Sequence, residues 1–111
     1  MGTIAGRTRQ AVPVRFAVNF APAAQWELFE AQDWYESQRP QLGIRFRAEV
    51  DAATLRMSTN PYQFPDVFHG VRRARLHKFP YGLFFLVEDN AIMVIACFHG
   101  SRNPMEWQRR R

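Results

Sequence analysis

The sequence has a single cysteine, Cys97, in 111 residues. One thiol excludes an internal disulfide framework and suits a reducing compartment. Long apolar runs are missing as well. The longest, Ala91 to Phe98, falls well short of the roughly 20 residues that cross a bilayer as a helix. The opening MGTIAGRTRQ is basic but lacks the apolar block of a secretory signal. The three histidines and Cys97 do not have metal-ligand spacing, so no metal site and no cofactor are expected. No repeat or low-complexity tract interrupts the chain. These absences predict a cytoplasmic protein with no membrane partner.

Aromatic residues, by contrast, are plentiful: ten Phe, three Trp and three Tyr, within a hydrophobic share of 47%. A chain of this length folded as one domain buries about two-thirds of its unfolded surface. A dense aromatic core is therefore expected without covalent staples. The formal charge is +5, and it is unevenly placed. Between Ala21 and Asn60 four arginines face six acids, whereas from His69 to Arg111 eight Lys or Arg face three acids. The second half thus favours a polyanionic or acidic partner.

Residues 1–12 lack a useful period and read as a flexible extension to a single domain over 13–111. The alternation of VRFAVNF (14–20) predicts a strand, and Pro22 suits the first turn of a helix. Ala24, Leu28, Ala31 and Tyr35 share one face of that helix. RPQLG breaks it, and a second helix is predicted from about Leu42 to Met57, with Leu42, Phe46, Val50, Ala53 and Met57 as its stripe. Arg45 with Glu49, and Arg47 with Asp51, stand four apart as supporting pairs. NPYQFPDVFHG (60–70) reads as loop. Strands follow at about 71–79, 81–88 and 91–98, the last two joined by a tight turn at Glu88-Asp89-Asn90. A short final helix opens at Pro104 with Asn103 as its cap. The fold class is α+β, in the order β-α-α-β-β-β(-α), an antiparallel-rich sheet with the helix pair on one face.

In RRARLHKFPYG (72–82), Ala74 and Leu76 point one way and Arg73, Arg75 and His77 the other. Leu76, Leu83, Phe85 and Val87 suit the helix-covered side. The cations then share the opposite face with Gly82 and Phe84, open to solvent or to a partner.

Four motifs in order resemble the RelE/ParE superfamily of toxins from type II toxin–antitoxin systems, most closely its ParE and plasmid-stabilisation branch. They are Trp34-Tyr35-Glu36, Leu42-Gly43 between the helices, Phe79-Pro80-Tyr81, and His99-Gly100-Ser101-Arg102, followed by Trp107. The resemblance covers most of the chain from Val14 onward. It implies a growth-inhibiting toxin and a cognate antitoxin that wraps over it in a hetero-oligomer. RelE-like members cut messenger RNA on the ribosome, whereas ParE-like members inhibit DNA gyrase.

RNA cutting needs a base for the 2′-OH, charge for the phosphorane and an acid for the leaving oxygen. The ribonuclease pattern places two lysines at what are here Arg73 and Arg75, whose guanidinium groups do not give up protons. One expected arginine falls at Gly82, the other at Arg102. The expected tyrosine belongs near Trp107 and Gln108. His99 or His77 is the available substitute base. The leading expectation is therefore a toxin without chemistry of its own, with gyrase as its candidate target. The alternatives are a ribosome-dependent endoribonuclease using Arg73, Arg75, His99 and Arg102, and a degenerate toxin that keeps only antitoxin binding.

The remaining partner-binding candidates are Trp26 and Phe29, two aromatics on the outer face of the first helix, together with Arg73, Arg75, His77, Arg102 and Trp107. Trp34 and Tyr35 are expected to pack between helix and sheet, and Cys97 to fill the core. His99 has two readings, one functional and one as a brace for the turn that follows it. The closing QRRR (108–111) reads either as a solubilising tail or as an electrostatic lure for nucleic acid.

Overall fold

The computed structural model describes residues 16–111. The extension at 1–12, and Val14 and Arg15 of the expected first strand, lie outside them. Strand β1 (Ala17–Phe20) leads into helices α1 (Pro22–Gln38) and α2 (Leu42–Thr59). After a short 3-10 turn (Pro61–Gln63) come β2 (Asp66–Phe68), β3 (Val71–Arg75), β4 (Tyr81–Glu88), β5 (Ala91–His99) and α3 (Met105–Gln108). The sheet order is β1-β5-β4-β3-β2, with β1 parallel to β5 and every other pair antiparallel. No helix among the described residues is long and apolar enough to cross a membrane.

Both helices obey their apolar period. Ala24, Leu28 and Ala31 of α1 and Phe46, Val50, Ala53 and Met57 of α2 are buried against Leu76, Leu83, Phe85, Ile92 and Val94 of the sheet side. An aromatic group closes one end of this core. Tyr35 stacks on Phe46 at 5.2 Å, and Phe79 and Tyr81 meet Phe46 edge-on, each at 5.2 Å. Trp34 departs from the expectation, being 56% exposed. It lies just off the α1 stripe, with only its edge against Tyr35. Of the two expected helix-surface pairs, Arg47–Asp51 closes at 3.3 Å.

The α1–α2 turn is built from one carboxylate and one glycine. Gln41, with φ 78°, precedes α2 without a side-chain cap. Glu36 stands in for the cap by accepting from the backbone N–H of Gln41 at 3.0 Å and of Gly43 at 2.9 Å. This satisfies early amides and places negative charge at the helix start. A Cβ on Gly43 would lie 2.7 Å from the Gln32 carbonyl oxygen, which is backbone and cannot swing aside. Gly43→Ala is expected to push the helices apart and cost about 1–3 kcal/mol, the usual penalty of overpacking. Urea titration beside Ala48→Gly, which removes a side chain where the helix surface is exposed, separates that clash from a change in helix propensity.

Two sequence expectations are corrected along the strands. Within 60–70 the chain forms β2, which pairs with β3 through Asp66↔Arg72 across an irregular register. Three residues are too few to show alternation, so only the pairing makes this strand. β3 ends at Arg75 rather than near residue 79. Lys78 takes a positive φ of 68°, and Leu76 donates to the Tyr81 carbonyl at 2.9 Å, so the chain turns before Pro80.

The second face is also less open than its charges suggest. Val71, Phe84, Ile95, Ala96, Phe98 and Trp107 form a second buried cluster there, with Val67, Phe68 and Leu86 at its rim. A bulge makes this possible. Phe84 pairs with Ala96 but Phe85 with Val94, leaving Ile95 unpaired. Such an insertion resets the alternation, so neighbouring residues of β5 turn towards the second face. Asn103 caps the approach to α3, its Oδ1 accepting from the Met105 N–H at 3.0 Å.

Candidate binding groove

A groove of about 590 Å³ opens on the second face beside α3. Arg73 and Arg75 reach it because Ala74 and Leu76 are committed to the helix-side core. Gly82 lies opposite Arg75 in the β3–β4 ladder. Its missing side chain leaves room for the Arg73 stem, whose Cγ would be 3.3 Å from a Cβ on Gly82. The Arg73 Nε is buried and has no hydrogen-bond partner among the described residues. His99, Arg102, Trp107 and Gln108 complete the far wall, and among the described residues no Asp or Glu lines the groove.

His99 is held in one tautomer. The Ser101 backbone N–H donates to its Nδ1 at 3.0 Å, and the Ser101 hydroxyl lies 2.8 Å from the same nitrogen. A backbone N–H is always a donor, so Nδ1 is the acceptor and the neutral ring carries its proton on Nε2. The ring therefore braces the His99–Arg102 turn and offers the groove a donor.

Arg102 is already engaged. Its guanidinium lies 4.0 Å from the Phe98 ring centroid, pairs with Glu106, and approaches Glu27 to 3.9 Å. Trp107 is 5% exposed and stacks on Phe84 at 4.3 Å, so it is wall and packing rather than a projecting anchor. Tyr81 also lines the groove, edge-on to His99 at 5.2 Å. Burial is the main cause that pushes its phenol above the ordinary tyrosine range, away from the phenolate.

The structure thus gathers Arg73, Arg75, His99, Arg102 and Trp107 in one place. His77 is exposed in the turn after β3 and is not part of the groove lining. Trp26 and Phe29 stand on α1, 65% and 42% exposed, away from the groove.

Glu27, which the sequence pattern does not single out, organises the C-terminal end. β1 stops at Phe20, opposite Val94, and beyond that point the free side of β5 meets side chains. Glu27, only 9% exposed, accepts from the Cys97 N–H at 3.1 Å. Arg110 donates to both Glu27 oxygens, at 3.0 and 2.8 Å, and to the Ile95 carbonyl at 2.8 Å. That charge-assisted bonding to Glu27 is the largest cause raising the Arg110 pKa above the ordinary arginine value. Arg111 Nε donates to the His69 carbonyl. Two residues of the QRRR tail are therefore structural straps. The available signal was an acid three residues after Ala24 and four before Ala31, inside an apolar helical stripe.

Cys97 packs in the core as expected, and burial, with Glu27 nearby, pushes its thiol up to about 12. Thiol reagents at pH 8 are expected to leave it unmodified until the protein unfolds, which Ellman titration with and without urea reads directly. Linkage adds a pH dependence. The unfolded thiol ionises near 9 and the folded one near 12, so its stabilising contribution is complete below pH 9 and declines as pH rises towards 12.

A helix hairpin on one face of this sheet, with an arginine-lined groove on the other, defines a small α+β protein of the RelE/ParE type. Residues 18–104 match the family described as ParE toxin of type II toxin-antitoxin system, parDE, and the chain belongs to that family. Toxin ParE2 from two strains of Mycobacterium tuberculosis is 34% identical over 79 residues, covering 70% of this chain and 75% of the relative. A solved structure described as the chromosomal ParDE TA system from P. aeruginosa has the same fold, with a TM-score of 0.67 at 16% identity. The alignment covers 78% of this chain and 98% of that one.

Proposed function

We propose that this ParE-family toxin arrests growth by binding an essential host protein, with DNA gyrase as the candidate target, and that a cognate antitoxin neutralises it. The observation that carries the binding reading is the set of hydrogen-bond donors lining the groove. Arg73 and Arg75 line it with guanidinium donors that carry no acceptor, His99 presents Nε2–H because Nδ1 is taken by Ser101, and no carboxylate lines the walls among the described residues. A 2′-OH entering this groove meets donors and positive charge but no general base.

The test is a pair of assays on the purified chain. Supercoiling by DNA gyrase is expected to fall with added protein, while messenger RNA in a ribosome-programmed extract keeps its ends. New cleavage ends that vanish with Arg102→Ala would overturn the reading in favour of an endoribonuclease.

A further inference from the structure

We infer that residues 1–15 of this chain dock across the outer face of α1, with their arginines set against Glu30 and Asp33 among the rings of Trp26, Phe29 and Trp34. Charge is the first support. The α1 sequence PAAQWELFEAQDWYESQ carries four acids and no Lys or Arg, in a chain of formal charge +5. Two of those acids are engaged inside the fold, Glu27 by Arg110 and Cys97, and Glu36 by the start of α2. Glu30 and Asp33 are exposed, and neither forms an ion pair among the described residues. Trp26, Phe29, Glu30, Asp33 and Trp34 are linked by spacings of three and four, so they make one continuous surface over about two helical turns. All three of its rings are exposed. Arginine suits such a surface, because one guanidinium can lie over an indole face and pair with a neighbouring carboxylate.

The chain carries a matching cover next to this face. Residues 1–15, MGTIAGRTRQAVPVR, hold three arginines and no acid. They join the fold on the helix side of the sheet. The Phe16 N–H donates to the Ser58 carbonyl near the end of α2 at 3.1 Å, and the Phe16 ring packs on the helix-side core. Gly43, at the start of α2, lies against Gln32 and Glu36 in the second half of α1. The hairpin therefore brings the end of α2 back beside the start of α1, where Trp26 stands. From Phe16 to Trp26 the path along β1 and up α1 is no more than about 25 Å. An extended chain covers that distance in about seven residues, which brings Arg7 and Arg9 to the face. Alternation then sets these two on one side, roughly 7 Å apart, close to the roughly 5–6 Å between helix positions such as Glu30 and Asp33. The same charges disfavour other covers. Glu30 and Asp33 repel a polyanion, and a two-fold pairing of α1 faces would set like carboxylates in one patch. A tethered segment also has an effective concentration in the millimolar range without any second molecule.

The experiment is paramagnetic broadening of tryptophan indole N–H signals in the full chain. Cys97 is the single cysteine and is buried, so Thr8→Cys supplies one reactive thiol for a nitroxide, placed between Arg7 and Arg9. Trp26 and Trp34 are expected to lose more than about half their intensity, because a millimolar effective concentration keeps even a weak contact largely formed. Trp107, packed on the second face of the sheet, is expected to keep its signal. Glu30→Lys with Asp33→Lys changes two exposed positions and is expected to restore both signals. Salt at about 1 M, where the Debye length is about 3 Å, is expected to restore them without any substitution on α1. Signals from Trp26 and Trp34 that match Trp107 at low salt overturn the inference. Broadening that survives both the double Lys variant and high salt also overturns it. So does equal broadening in a mixture of spin-labelled chain and isotope-enriched chain without label, which assigns the face to a second copy.

Discussion

Phe46→Ala is expected to lower the unfolding free energy by about 3–5 kcal/mol, the range for removing a fully buried aromatic ring. Phe46 has no exposed surface and sits among Tyr35, Phe79 and Tyr81, each with its ring centroid about 5 Å away. Three rigid rings cannot collapse into the space, so the cavity persists and the cost falls at the upper end. Against a total of about 5–15 kcal/mol for a domain, that is a third or more of the stability. The midpoint of thermal unfolding is expected to drop by about 10–20 °C. Phe46→Leu, which keeps most of the volume, is expected to cost about 1–1.5 kcal/mol. The effect reaches the groove as well, because Phe79 and Tyr81 contribute to its lining. Urea unfolding of the two variants checks this. A Phe46→Ala loss below 1 kcal/mol would mean that the ring cluster closes over the gap.

Glu27→Ala is expected to cost about 3 kcal/mol, at the lower end for breaking a buried ion pair by removing one partner. The lower end applies because the Arg110 side chain is still 27% exposed and recovers some water. The Cys97 N–H recovers none, since Cys97 is buried, and an orphaned buried amide adds its own penalty. Glu27→Gln keeps an acceptor for that amide and is expected to lose about half as much. Arg110→Ala is expected to cost less than Glu27→Ala, and the double variant less than the sum of the two. A readout specific to the strap is Trp107 packing, followed by near-ultraviolet circular dichroism. Glu27→Ala should loosen it below the global transition. Equal losses from Glu27→Ala and Glu27→Gln would assign the whole effect to charge rather than to the amide.

Much of the fold was legible because its signals are local. The 3.6-residue stripe of α2 named Phe46, Val50, Ala53 and Met57 as core, and all four are buried. Alternation in β3 separated Ala74 from Arg73 and Arg75. Even the groove was partly readable, since period two alone sends those arginines and Phe84 to one face. Trp34 was misjudged because its place one residue off the α1 stripe puts its ring at the surface, a difference that size and hydrophobicity do not show. Glu27 was missed for a related reason: a glutamate in a helical stripe is normally solvated, and only an arginine 83 residues away makes burial favourable.

By itself, then, the sequence determined the helices, the four longer strands and which side of β3 carries charge, because each follows from the period of a continuous stretch. The tertiary structure alone decided that β2 is a strand, that a bulge at Ile95 turns β5 towards the second face, and that Trp107 and Arg110 cover part of that face. These depend on pairing, register and burial between segments far apart in the chain, where the stabilising partner of each group is absent from its own neighbourhood.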